Sequence, residues 1–579
     1  MNYELSNNEY PYLKQSNHHL YIRDSISILY FYLSRMDNVS LYKISIFYNN
    51  LVHFVINKTR EDYGLYVYYL CCLYKMIGQT RDIYAGKGEK DLSYMMISVW
   101  FNYHPSLAMY AFRCFVDDME NVSFGSWCDF KYFCHFINYY TNYNKQSRDR
   151  VIDYAISILL YQFDKDRFFW EKDFGIYLDN LIDSDIEKSQ LSKPNARVIC
   201  SLVCKWIPRE NKKYGWLYEK IVTQWYLIHS PHLFENIKNN EEYDNLLKRL
   251  KMEFRKLVSQ MNKNLETTEV IMTKKKYNLY PEKVPITALF KYRDSFTKYN
   301  FNNTNVIDDV GCAILFKEHF YNSKNPVENK KLKKTKFSVG YYVKLAFKLI
   351  KKIKTDSILS HIEFLNSTWK KNVLSNFKIK NNNLLPIVDI SYEISEDDRC
   401  NTIGMGILIS QISKLNRCIL TSNEFNIINI ESSRDFYDII NDILPYLKGS
   451  INFDLQKTID FLDRGSKDVN EGMYYVVLSN SKNILNNNSF KYTYNKYIQF
   501  VLWNMSTVFK QDDKIEETEL CDDFIYLSGS STSLIFYLNQ FSIKRTNTFE
   551  YLGEILNTSR YDNLGNYFLD NYLPDSMEY

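Results

Sequence analysis

Between residues 20 and 250 apolar side chains return every three or four positions, the period of a helix that buries one face. The pattern predicts helices over Ile26–Leu33, Tyr42–Ile56, Tyr66–Met76, Leu92–Phe101 and Val151–Tyr161. Proline is sparse and sits at boundaries, as in Tyr103-His104-Pro105-Ser106, where a helix can start. No fixed-period repeat is legible, but stacked helical pairs are compatible with the pattern. Further helix is predicted over Val343–Ile353 and Ser357–Phe377, with loops at Asn300–Asn305 and Asn322–Lys336. At Asn381-Asn382-Asn383 the period changes. Short apolar runs now alternate with helical stretches. Strands are expected at Leu385–Ile390, Arg417–Thr421, Tyr474–Ser479, Tyr497–Trp503 and Phe524–Leu527, and helices at Thr402–Leu415, Ser433–Leu447, Asp454–Leu462 and Thr532–Gln540. Alternation of this kind builds a doubly wound parallel sheet.

The expected fold class is therefore α + α/β. A flexible N-terminus spans 1–20 and an all-helical, HEAT-like repeat region spans 21–380. A Rossmann-type α/β domain spans 381–545, and a C-terminal helix and tail span 546–579. With 45% hydrophobic and 24% charged residues the composition is that of a folded protein. The 50 Tyr and 37 Phe, with abundant Asn, Ile and Lys and only 17 Gly, carry the codon bias of an AT-rich genome.

Net charge is only +4, but it is unevenly spread. Residues 251–380 hold 27 Lys/Arg against 11 Asp/Glu, while the rest of the chain holds 45 against 57. A basic part at 251–380 can face an anionic partner or simply be a solvated helical face. The 11 Cys form no CxxC pair and lie mostly in apolar stretches, which argues for a reducing compartment rather than a disulfide framework. The N-terminus lacks the apolar core of a signal peptide, and the run Leu65–Tyr74 is about half of the ~20 residues that span a bilayer. A soluble, cytoplasmic protein is expected, with no membrane partner.

In an open α/β sheet ligands gather beyond the C-terminal strand ends. Asp389 and Ser391 follow the first predicted strand, and a carboxylate and a hydroxyl two residues apart can turn toward one hard cation. The string Asp389-Ile390-Ser391-Tyr392-Glu393, opening a helix with Gly404 and Gly406, resembles the metal-ion-dependent adhesion site (Asp-x-Ser-x-Ser) of von Willebrand A domains. Further blocks occur in order. Arg81-Asp82-Ile83-Tyr84-Ala85-Gly86-Lys87-Gly88-Glu89 resembles an RDIRGGKGE block; His104-Pro105 follows. Phe124-Gly125-Ser126-Trp127-Cys128-Asp129 resembles GYWKDL, and Lys205-Trp206-Ile207-Pro208-Arg209-Glu210 resembles KWAPRE. Leu478-Ser479-Asn480, Phe500–Asn504 and Leu527–Ser531 resemble later strand ends. Over roughly residues 25–545 the chain resembles the family known as domain of unknown function 2828, found in plants, fungi and large DNA viruses and related to TROVE-domain (Ro-like) proteins. The resemblance implies a TROVE-like helical ring followed by a von Willebrand A-like domain, structured RNA as partner, and a viral source with a place in virions as one option.

The departures from the pattern fall on the metal loops. Glu393 replaces the second Ser, Phe453-Asp454 stands where the family has Thr-Asp, and Asn480 stands where it has Asp. The resemblance thus implies a degenerate metal site, with Asp389, Ser391 and Glu393 as the residual Mg²⁺ ligands and no cofactor as the expected state.

Gly86-Lys87-Gly88 is not a phosphate loop: Arg81 occupies the first Gly position, Gly88 the Ser/Thr position, and the context is helical. The resemblance implies a helix–helix turn instead, where glycine permits a positive φ. For RNA the candidate contacts are Arg81, Lys87, Lys205, Arg209, and Lys330, Lys331, Lys333, Lys334 and Lys336. Arg81, Lys87 and the Lys330–Lys336 run could instead be solvated, and Lys205 and Arg209 could equally cap a helix C-terminus. Lys274-Lys275-Lys276 and Lys351-Lys352 extend the same basic zone. Trp127 and Trp206 read as core anchors. His229 and His232 flank Pro231 and do not share a helical face. No HExxH, zinc-ligand or GxSxG pattern occurs, so no enzyme is expected. The reading is a non-enzymatic scaffold that binds structured RNA or a ribonucleoprotein. The alternative is a protein-interaction or virion component that uses the A domain as a metal-independent module. The oligomeric state is open.

Overall fold

A computed structural model describes residues 18–572 apart from 32–37, 60–61, 117–122, 142, 183–199, 236, 238, 266, 275–278, 282–283, 285, 298–311, 317–337, 352–355, 378–382, 392–393, 422–424, 432, 448–453, 466–471, 481–497, 506–523, 536–537 and 539–547. In chain order the helices before the sheet are α1 (His18–Phe31), α2 (Asn38–Lys58), α3 (Tyr63–Arg81), α4 (Lys90–Tyr103), α5 (Pro105–Val116), α6 (Cys128–Tyr140), α7 (Lys145–Ile182), α8 (Val203–Trp206), α9 (Gly215–His229), α10 (Asn240–Asn264), α11 (Thr268–Lys274), α12 (Ile286–Thr297), α13 (Val339–Ile350) and α14 (Asp356–Asn372). Then come β1 (Asn383–Asp389), α15 (Glu396–Ile412), β2 (Arg417–Thr421), β3 (Phe425–Asn429), α16 (Phe436–Ile443), α17 (Leu455–Gly465), β4 (Met473–Ser479), β5 (Ile498–Asn504), β6 (Phe524–Ser528), α18 (Thr548–Leu556) and α19 (Asp562–Asn571). The α + α/β class expected from the periodicities is thus the class observed.

Packing divides the chain into two units. One comprises Met1–Ala111, Leu332–Ile358 and Leu365–Tyr579; the other comprises Phe112–Lys331 and Leu359–Phe364. These lines differ from the boundaries read from sequence: the first helices and the last ones belong to the same unit as the sheet.

Within the first unit the sheet order is β3-β2-β1-β4-β5-β6. Five strands run parallel, and β3 pairs antiparallel to β2. The sequence reading has no counterpart to β3. One face of the sheet buries Ile387, Ile419, Tyr475, Val477, Phe500 and Leu502 against Ile459 and Leu462 of α17. On α15, a Cβ at Gly406 would stand 2.3 Å from Val388 Cγ2 of β1, so only glycine allows this helix to seat so closely. The first turn of α15 carries Glu396, Asp397 and Asp398, and Ser395 Oγ accepts from the Asp398 amide at 3.1 Å. Acid at this end suits the helix dipole and the cap fills an orphan amide.

α3 lies at the centre of the helical part of this unit, buried on nearly every side from Tyr66 to Arg81. Asp62 caps it by accepting from Leu65 N at 3.2 Å. The C-terminal helices α18 and α19 dock here. Tyr110 and Tyr567 stack with centroids 3.6 Å apart, Phe568 packs on Tyr74 and Trp100, and Lys75 Nζ donates to the Leu556 carbonyl at 3.0 Å.

The second unit is helical. Phe163 of α7, Trp225 of α9 and Phe254 of α10 form one aromatic core. α12 contributes Ala288, Leu289 and Phe296 to a second cluster with Phe316 and Phe364.

Candidate functional site

Sheet order reverses between β1 and β4, and Asp389 ends β1 at that switch point, the usual ligand position in such sheets. Asp389 is fully buried. Its Oδ1 accepts from the Ser391 amide at 2.9 Å, and its Oδ2 accepts from Ser479 Oγ at the end of β4. Thr421 Oγ1 at the end of β2 donates to the Val388 carbonyl at 3.1 Å. Ser391 is also fully buried, and its hydroxyl has no hydrogen-bond partner among the described residues. Ser479 immediately precedes Asn480, the position at which the resemblance implies the loss of an acidic ligand. Asp454 caps α17, its Oδ1 accepting from Lys457 N at 3.0 Å. Glu393 and Phe453 lie outside the described residues.

No group of three or more His, Cys, Asp or Glu comes together among the described residues. The described donors at this site are one carboxylate, already accepting from two internal donors, and neutral hydroxyls. That set fits a divalent cation poorly, because such an ion needs a near-complete oxygen shell with its carboxylates free to ligate.

The Arg81–Glu89 block folds as the expected turn between α3 and α4. Gly88 has φ 73°, a conformation that favours glycine. The block does not face solvent: Arg81 and Lys87 are both buried. Lys87 Nζ donates to the Tyr30 carbonyl and lies 4.8 Å from the Tyr30 ring centroid. Burial pushes its amine down to about 7, partly opposed by Glu89. Next to it Asp82, fully buried, accepts from Arg560 Nε, from Arg560 Nη2 at 2.8 Å, from Tyr561 OH at 3.2 Å and from Tyr84 N at 2.8 Å. Ser531 Oγ donates to the Gly86 carbonyl at 3.0 Å. The block therefore ties the end of α3 to the turn just before α19 and to the loop after β6. Arg81 and Lys87, expected as phosphate contacts, are corrected here to interior groups: a buried cation cannot meet a phosphate without opening the structure.

Lys205 and Arg209 remain on the surface. Lys205 pairs with Glu269 of α11 at 3.3 Å; Arg209 is exposed just beyond α8. Trp127 is buried as expected, but Trp206 is only half-buried, with Lys131 Nζ 4.5 Å from its ring centroid. Lys330, Lys331, Lys333, Lys334 and Lys336 lie outside the described residues.

The basic zone does have a built surface, on α10. Asn239 caps this helix by accepting from Glu242 N at 2.8 Å. Leu247, Leu250, Phe254 and Met261 face inward. Lys248, Arg255, Lys256 and Lys263 are exposed on the opposite side. At 3.6 residues per turn Lys248 and Arg255, and likewise Lys256 and Lys263, stand about two turns apart, and all four fall on one face. None of the four forms a salt bridge among the described residues, whereas Lys251 beside them pairs with Glu219 at 2.7 Å and Glu210 at 3.7 Å. A helical projection of the sequence carries this signal, because the apolar positions 247, 250, 254 and 261 fix which face is left to the lysines.

No family model matches the chain, and no curated protein matches it. Among solved structures it is similar to the crystal structure of the Deinococcus radiodurans RO (RSR) protein, at 10% identity over 87% of this chain and 93% of that one, with a TM-score of 0.39. The resemblance to the domain of unknown function 2828 family, and the viral source it implies, rests on its sequence blocks alone. No helix among the described residues is long and apolar enough to cross a membrane. None of the ten described cysteines is in a disulfide, and burial raises the Cys72 and Cys400 thiols to about 12, so neither is poised as a nucleophile.

Proposed function

We propose that this protein is a non-enzymatic scaffold that binds structured RNA, or a ribonucleoprotein, through the basic helical region. The observation that carries the reading is the α10 stripe of Lys248, Arg255, Lys256 and Lys263, exposed and without salt bridges among the described residues. Cations held on a rigid helix, with no internal carboxylate to satisfy them, are suited to phosphate. Exposed Arg209 adds to the charge on the same unit. The Asp389 loop serves shape rather than metal chemistry in this reading, and no resident cofactor is required. The test is binding of labelled hairpin RNA to the full chain at several salt concentrations, with duplex DNA as competitor. Binding that weakens steeply with salt and survives the competitor supports the reading; no binding, or equal displacement by DNA, refutes it.

A protein partner is favoured by a different surface. Tyr154, Tyr161 and Phe168 recur every seven residues on α7 and are 47%, 63% and 61% exposed. A stripe of that kind suits an apolar helix laid alongside. Replacing Tyr161 and Phe168 by Ser, with loss of a captured partner and unchanged RNA binding, would support it.

A further inference from the structure

α6 presents aromatic residues at helical spacing toward the start of α9. Tyr132, His135 and Tyr139 line one face of α6 (spacing three and four), and Tyr214 and Trp216 meet them. His135 lies 4.6 Å from Tyr139 and 5.4 Å from Tyr214; Tyr132 lies 5.9 Å from Tyr214, and Tyr139 lies 6.4 Å from Trp216. Most of these pairs meet edge to face, an arrangement that covers the face of one ring only. Tyr139 is 58% exposed and its neighbour Tyr140 is 46% exposed. The Trp216 indole N–H has no partner among the described residues.

Lysines lie over these rings. Lys131 Nζ lies 5.2 Å from the Tyr132 centroid and 5.7 Å from that of Tyr214, and Lys213 Nζ lies 5.6 Å from that of Tyr214. Asp129, the carboxylate on the first turn of α6, is buried and accepts from Ser126 N at 2.8 Å. Aromatic rings interleaved with lysines offer what an unpaired strand needs: ring faces for bases and cations for the backbone between them. An apolar protein face would be met by the rings but not by the lysines.

We infer that the ring cluster of Tyr132, His135, Tyr139, Tyr214 and Trp216 is a stacking platform for unpaired bases of single-stranded RNA, with Lys131 and Lys213 on the phosphates. This rests on the RNA-binding reading and deepens it by naming the element that the patch takes: unpaired bases. It uses none of the α10 stripe residues, so the two can be tested independently.

The experiment compares a uridine oligomer with an abasic oligomer of the same length and charge, each titrated into the full chain, alongside a blunt hairpin. The platform predicts that the abasic strand binds about tenfold more weakly, because stacking is lost while charge is kept. Tyr139→Ala should erase that difference and Tyr139→Phe should preserve it; Tyr139 is exposed enough that neither change should unfold the chain. Equal binding of the two oligomers, or binding of neither, overturns the platform. Hairpin binding alone would leave the α10 reading standing, and Tyr139-dependent oligomer binding without hairpin binding would leave only the platform. A proline-rich peptide that binds the patch while the uridine oligomer does not would also overturn the inference, in favour of a protein partner.

Discussion

Two sets of basic residues in this chain have opposite fates. Arg81, Lys87 and Arg560 sit in or beside the α3–α4 turn, where Lys87 is held by a backbone carbonyl and a tyrosine ring and Arg560 by a buried aspartate. Lys248, Arg255, Lys256 and Lys263 stand in water on α10. The residue types are the same, and the difference is burial. A buried cation costs several kcal/mol unless paired, so it is kept only where it ties elements together. A solvated cation costs little and stays available to a partner. Basic residues must therefore be sorted by surroundings before any is assigned to RNA.

The largest test of this contrast is at Asp82. Asp82→Asn removes the charge that holds Arg560 and is expected to destabilise the fold by about 3 kcal/mol, read as a lower urea midpoint. A midpoint that does not move would mean that the tie between the end of α3 and the turn just before α19 is slack. At Lys87 the expected effect depends on pH. The folded chain holds this amine near 7, well below its ordinary value. Between about pH 7 and 10 the unfolded chain therefore binds the extra proton. Stability should rise with pH across that window and be flat below it, and Lys87→Met should remove the slope. A slope that persists in Lys87→Met would assign it to another group.

How much of this was legible beforehand depends on what each signal measures. β1, β2, β4, β5 and β6 fall on the predicted apolar runs, because a strand buried on both faces is apolar throughout. β3 was not legible. It is five residues long with Ile427 exposed, and as an edge strand it satisfies only one side of its hydrogen bonds. The turn at Gly86-Lys87-Gly88 was implied by the family resemblance, but the burial of Lys87 and Arg81 was not legible, since it comes from helices far away in sequence. Likewise Asp389 and Ser391 could be placed at the strand end, while the Ser479 hydrogen bond needed the register of β1 on β4.

Smaller effects sharpen the other side of the comparison. Ser391→Ala removes a buried hydroxyl that has no partner among the described residues and should change stability by no more than about 0.5 kcal/mol. A large loss, or Mg²⁺-dependent stabilisation present in the native chain and absent from Ser391→Ala, would restore the metal reading. Reversing Lys248, Lys256 and Lys263 to Glu should shift the urea midpoint least, within about 0.5 kcal/mol, as expected for solvated surface positions.

The most direct test is the salt dependence of hairpin RNA binding by the native chain and by that triple reversal. The account predicts that the slope of log affinity against log salt falls by about 2–3 in the variant, since each reversed lysine no longer neutralises a phosphate, with folding intact. An unchanged slope and affinity would show that the α10 stripe does not meet RNA.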